Sequence, residues 1–125
     1  MKEFIYTPSA PEPVGPYSQG VKVDGWLFVS GQIPIDPATG EMVESDIAVQ
    51  TRRVLDNLAA VLQAAGASVA DVVKVTIFMT DLAQFAEMNA VYAQYFQKNP
   101  PARACVQVAR LPKDSLVEIE CIARV

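Results

Sequence analysis

The sequence predicts a single α+β domain, a mixed sheet with two helices packed on one face. Three observations lead there. Short β-prone runs alternate with two stretches of helical periodicity in the order β-β-α-β-α-β-β. Apart from Gly20, the glycines, prolines and turn dipeptides fall between those runs rather than inside them. Residues 1–125 carry no linker, internal repeat or low-complexity tract, and 51% of them are hydrophobic, enough for one domain to bury a core.

Residues 7–16 hold four of the nine prolines and run extended rather than helical. A short extra strand is expected before them, near residues 4–6. Ser18 to Val23 and Trp26 to Ser30 are two β-prone runs separated by Asp24-Gly25, the pair a two-residue type I′ hairpin requires. Gly31 ends the second run. It is read either as a strand end or bulge, or as a place where backbone closely approaches a ligand. Asp36 to Gly40 is a turn.

A first helix starts near Ser45 or Asp46. Ile47, Val54, Leu55, Leu58, Val61, Leu62 and Ala65 form one apolar stripe, and Gly66 is the stop signal. Arg52-Arg53 reads as a solvated helix face. Ser68 to Asp71 is a brief capped turn. Val73 to Met79 is a strand with Val73, Val75, Ile77 and Met79 on one face. Asp81 caps a second helix whose stripe is Phe85, Met88, Tyr92, Tyr95 and Phe96, with Asn89 at its edge. Asn99-Pro100-Pro101 stops it. Two strands around a Leu111 to Asp114 turn complete the chain.

Helices on one face leave the other face to solvent or to partners. The sequence holds few polar residues to wet that second face, which points to contact between subunits.

Composition excludes several chemistries. The net charge is −4, and the ten Lys and Arg are scattered apart from Arg52-Arg53, which argues against a nucleic-acid surface. There is no histidine, so Ser-His and Cys-His nucleophile pairs are absent, as are the usual zinc ligand sets. Two cysteines sixteen residues apart make no disulfide framework. With no apolar leader at the N-terminus and no run of membrane length, a cytoplasmic protein is expected.

The chemistry-bearing residues lie in the last two strands. Alternation puts Arg103, Cys105 and Gln107 on one face of the first. It puts Glu118 and Glu120 on one face of the second, in an otherwise apolar strand. Glu120 reads either as half of a surface ion pair or as a carboxylate with a raised pKa fit for proton transfer. The planar guanidinium of Arg103 suits a small carboxylate-bearing ligand, each such charge-assisted bond contributing ~1.5–3 kcal/mol. Tyr17 offers a phenol donor. Cys105 reads either as a thiol made nucleophilic by Arg103 or as a small buried hydrophobe.

Arg103-Ala-Cys-Val-Gln-Val-Ala-Arg-Leu-Pro112, followed by Val117-Glu-Ile-Glu120, resembles the C-terminal signature of the YjgF/RidA family, small imine and enamine deaminases also called L-PSP-type proteins. Gly15-Pro-Tyr-Ser-Gln19, Ser30-Gly-Gln-Ile-Pro34 and the Asn89 region extend the resemblance along the whole chain. It implies a chorismate-mutase-like fold and a homotrimer with sites between subunits. It also implies a site of Tyr17, Ser30, Gly31, Asn89, Arg103, Cys105 and Glu120. In it Arg103 anchors the substrate carboxylate and Glu120 activates water. Backbone groups near Gly31 and Cys105 position the substrate. The implied reaction turns 2-aminoacrylate or 2-iminobutyrate into a 2-oxo acid and ammonia, with no cofactor or metal. Consecutive strands would by default pair as a hairpin and set Arg103 beside Glu120. The family topology instead inserts the last strand elsewhere in the sheet, and that arrangement is the one expected here. Three rivals remain open: an L-PSP-type ribonuclease or translation inhibitor, a non-enzymatic small-carboxylate sensor or interaction protein, and, by fold analogy alone, a chorismate mutase.

Overall fold

A computed structural model describes residues 1–125. Strand β1 (Glu3–Ile5) pairs with β2 (Gly20–Val23), which turns back into β3 (Trp26–Gln32). Asp24 and Gly25 make that turn with φ of 51° and 80°, the left-handed pair a type I′ hairpin demands. The proline-rich stretch between β1 and β2 is pinned from below. The Gln19 side chain, 1% exposed, accepts from Thr7 N at 2.7 Å and donates to Thr7 O and Pro11 O. One buried amide thus satisfies a segment that has no sheet of its own.

The Asp36–Gly40 turn joins two very short strands, β4 (Ile35–Asp36) and β5 (Glu41–Met42), which form a separate hairpin. Helix α1 (Ile47–Ala64) follows. Asp46 Oδ1 accepts from Val49 N at 3.0 Å at its start. At its end Gly66, φ 80°, donates to Gln63 O while Ala67 donates to Leu62 O. Those paired bonds form a Schellman cap. The whole expected stripe is buried. So are Gln50, Thr51 and Asn57, which periodicity did not single out. Asn57 Nδ2 donates to Ile33 O and Ile35 O, tying the β4 hairpin to the helix.

A 3-10 turn over Val69–Asp71, closed by a Ser68 and Asp71 capping box, leads into β6 (Val72–Met79). Here one expectation fails. Register with the neighbouring strand slips between Val72 and Lys74, so Val72 and Val75 both point inward. Val73, expected inside, is 42% exposed. Asp81 caps a short 3-10 turn, and helix α2 (Phe85–Tyr95) continues from it. Met88, Tyr92 and Phe96 are buried, with Phe85 and Tyr95 packed against the core. The chain ends in β7 (Ala102–Gln107) and β8 (Val117–Arg124).

The main sheet has the order β1-β2-β3-β8-β6-β7. Strand β7 runs parallel to β6 at the edge, and β8 is inserted between β3 and β6, antiparallel to both. The last two strands therefore do not pair. Both helices cover one face, against Leu27, Val75, Ile77, Ile119 and Cys121. The other face carries Phe4, Trp26, Phe28 and Val106, each between 42% and 65% exposed. Large apolar side chains gathered on one uncovered face are unusual for a surface that meets only water. No helix is long and apolar enough to cross a membrane.

Candidate active site

The expected site residues fall into two groups, set by the pleat of the sheet. On β8, Val117, Ile119 and Cys121 point into the core, so Glu118 and Glu120 point to the uncovered face. There they line a cleft of about 460 Å³ with Tyr17, Ser30, Gly31 and Val14. Ser30 fixes the approach of the N-terminal segment: its Oγ donates to Ser18 O at 2.6 Å and its N–H to Gln19 O at 2.9 Å. Tyr17 is half exposed and its hydroxyl makes no hydrogen bond within the chain, so the phenol is free to meet a ligand.

Gly31 does not end β3. It lies inside the strand, where register with β8 slips between Val29 and Gln32. A Cβ at this position would collide with the Glu118 carboxylate. The register slip fits the bulge reading, and the Glu118 carboxylate stands beside this glycine. Burial pushes the Glu118 carboxyl up from its ordinary value, and the neighbouring charge of Glu120 adds to the shift. Sequence alternation put Glu118 beside Glu120, yet only the β3–β8 register reveals what it packs against.

The second group lies across the sheet. Arg103 pairs in register with inward-facing Val75 and so leaves β7 on the helix side. It lines a cleft of about 320 Å³ with Asn89, Tyr92, Phe96, Pro100 and Pro101. Its Nη1 donates to Asn89 Oδ1 at 2.7 Å. The guanidinium sits 4.7 Å from the Tyr92 ring centroid and 5.5 Å from that of Phe85. Aromatic faces and one neutral amide hold the fork without neutralising it. The chain's one ion pair is elsewhere, between Arg110 and Asp114. Burial raises the phenol of Tyr92, with the Arg103 charge working against it.

Cys105 follows two residues later on the same face, half-buried against the core. Burial raises its thiol, and Arg103 offsets that only in part. A nucleophile needs the opposite shift, so the environment favours the packing reading of Cys105. Cys121 is more deeply buried, its thiol pushed up to about 12 by burial and by Glu120.

A further groove of about 330 Å³ runs between the β4–β5 hairpin and α1, walled by Arg52, Arg53 and Asp56. None of the expected site residues lines it. Arg52 is tied to Gln94 Oε1 and Arg53 to Asn57 Oδ1.

Residues 7–125 match the family described as endoribonuclease L-PSP. A RutC family protein of Pyrococcus horikoshii is 58% identical over 123 residues, covering 98% of each chain. The Escherichia coli protein named 2-iminobutanoate/2-iminopropanoate deaminase is 50% identical over 126 residues, again with 98% of each chain covered.

The chain belongs to the YjgF/RidA family.

The crystal structure of E. coli TdcF with bound serine superposes with a TM-score of 0.95 at 50% identity, covering 98% of each chain. The mixed sheet with two helices, and the placement of β8 away from β7, are thus the RidA fold. The topology expected from the resemblance holds, and the default β7–β8 hairpin does not form.

Proposed function

We propose that this chain is a deaminase that hydrolyses 2-imino and enamine acids, such as 2-aminoacrylate and 2-iminobutyrate, to 2-oxo acids and ammonia. The observation that carries the reading is Arg103, a guanidinium oriented by Asn89 and two aromatic rings and left without a carboxylate partner. It is a preformed socket for a small carboxylate. The name of the 50% identical E. coli relative supports the substrate class.

In this reading the substrate carboxylate takes two N–H donors from Arg103. Glu120 accepts a proton from a water molecule as its oxygen attacks the imine carbon. An enamine such as 2-aminoacrylate reacts as its imine tautomer, a proton having moved from nitrogen to the methylene carbon, and the carbinolamine formed has a new C–O bond in place of the C=N π bond while the C–N single bond remains. A proton passes to nitrogen, the C–N bond breaks, ammonia leaves, and the hydroxyl proton is lost as the carbonyl forms. Tyr17 donates a hydrogen bond from its free phenol, and backbone beside Gly31 and Cys105 positions the substrate. Water and side chains supply every step, with no cofactor or metal. The working unit is a homotrimer in which the uncovered apolar face meets another copy, so that Arg103 of one subunit serves Glu120 of the next. The protein acts in the cytoplasm, consistent with two free thiols.

The test is release of ammonia and 2-oxo acid from freshly generated 2-iminobutyrate, above the unaided rate, by wild type, Arg103→Ala and Glu120→Ala. Acceleration by wild type that both variants lose supports the reading. A folded wild type that binds 2-oxo acids without turnover would transfer the argument to the sensor reading.

A further inference from the structure

The groove between α1 and the β4–β5 hairpin takes no part in the reaction above, yet it is built like a binding site. On α1, Val49 and Asp56 stand three and four residues from Arg52 and Arg53, so the four share one face of the helix. Asp36 at the end of β4 and Val43 just after β5 close the other side, around a space of about 330 Å³. That volume suits a small metabolite. In the sequence Arg52-Arg53 reads as a solvated helix face; the hairpin makes it one wall of a groove.

The charges in this groove do not cancel one another. Arg52 and Asp56 have the i, i+4 spacing of a helical ion pair, but none forms: the chain's ion pair joins Arg110 to Asp114. Helix α2 draws the two apart instead. Gln94 Oε1 accepts from Arg52 Nη2 at 2.8 Å, and the Tyr95 hydroxyl donates to Asp56 Oδ1 at 2.7 Å. Burial and that bond push the Tyr95 phenol up to about 12, so it keeps its proton. Arg53 Nε donates to Asn57 Oδ1 at 3.1 Å, and Asp36 Oδ1 accepts from Ala38 N at 2.9 Å. Each charged group is thus aimed by a neutral partner and keeps its charge for a ligand.

The two walls are fixed relative to each other. The Asn57 amide that holds Arg53 also donates to Ile33 O and Ile35 O, and Val43 N donates to Pro34 O at 3.0 Å. Gln50 Nε2 reaches from α1 to Glu44 O at 3.3 Å. A groove tied in this way loses little freedom when a ligand enters.

We propose that this groove binds a free α-amino acid with an apolar side chain, at a site separate from the Arg103 cleft. The ligand carboxylate takes donors from Arg52 and Arg53, and its ammonium donates to Asp36 and Asp56. The side chain lies along Val43, Ala48 and Val49. The lining calls for both signs on one molecule. An anion alone would leave two carboxylates unanswered, and a cation alone two guanidiniums. The site stands whether or not the chain is a deaminase.

The probe is L-leucine, titrated into the full chain and followed by amide NMR spectra. Shifts should saturate at Val43, Ala48, Val49 and Arg53 with a Kd of about a millimolar or below, and equally in Arg103→Ala. Isocaproate, which is leucine without its ammonium, and isoamylamine, which lacks the carboxylate, should each bind at least about tenfold more weakly. Arg53→Gln and Asp56→Asn should each weaken leucine by about the same factor. If either variant fails to fold, the probe series on wild type decides. Isocaproate or isoamylamine binding as tightly as leucine overturns the proposal. So do shifts confined to Asn89 and Arg103, or no shifts up to about 10 mM leucine.

Discussion

Arg103 and Glu120 leave opposite faces of one sheet: Arg103 lies in register with buried Val75, Glu120 with outward Thr76. No rotamer change in a single chain brings them onto one small molecule. A reaction that uses both requires a second copy. Arg103→Ala and Glu120→Ala, each inactive alone, should then complement. Refolded together in equal amounts as random trimers, they should recover about a quarter of wild-type turnover, the chance that a site draws its Arg103 and its Glu120 from intact subunits. Recovery of nothing, with mixed trimers demonstrated, would place the whole site in one chain.

The surface that joins the copies should be the uncovered face. Phe28 stands on it 45% exposed, in register with Ile122 of β8. Phe28→Glu puts a charge where an apolar contact is expected, and desolvating it unpaired is costly. Sedimentation should show wild type as a trimer and Phe28→Glu as a folded monomer without turnover. A trimeric Phe28→Glu protein would direct the interface elsewhere.

Asn89 makes the one hydrogen bond that aims Arg103. Asn89→Ala should leave the guanidinium in place over Tyr92 but free to swing. The lost bond to a charged group predicts an increase in KM of about tenfold with a smaller fall in kcat. Steady-state kinetics on 2-iminobutyrate separates the two. A pure kcat effect would mean that Asn89 meets the reacting atoms instead.

The order of the main strands and helices, both helix stripes, both caps of α1 and the Asp24-Gly25 turn were legible in the sequence because each depends on neighbours within one turn or strand, whereas the small β4–β5 hairpin reads only as a turn. What was hidden depends on register between distant strands. Val73 alternates correctly with Val75 and Ile77, yet the slip beside β8 turns it outward. Gly31 reads as a strand end until its closeness to Glu118 is known. The seven expected site residues are named as a set by resemblance alone, and their division between two faces of the sheet emerges only with β8 inserted between β3 and β6. Val73→Ala and Val75→Ala test the first point directly. Urea unfolding should show about 2 kcal/mol lost for Val75→Ala and within about 0.5 kcal/mol of no change for Val73→Ala. Equal losses would restore the unbroken alternation.

Glu118 also predicts how stability depends on pH. Burial disfavours its ionised form, so its carboxyl titrates above the ordinary 4.5 in the folded chain. A group raised in the fold contributes stability that is fully present below its unfolded value and lost as pH rises through its folded value. Glu118→Gln removes that loss, since the amide stays neutral. The variant should therefore unfold at a higher temperature than wild type at neutral pH, and the gap should close as pH falls toward the ordinary glutamate range. Half the side chain still meets solvent, so the gain is modest. Thermal unfolding of both proteins across the acidic range checks the sign. A variant that instead unfolds below wild type at neutral pH, with the difference vanishing on acidification, would mean that Glu118 gains a cationic partner in the assembled protein.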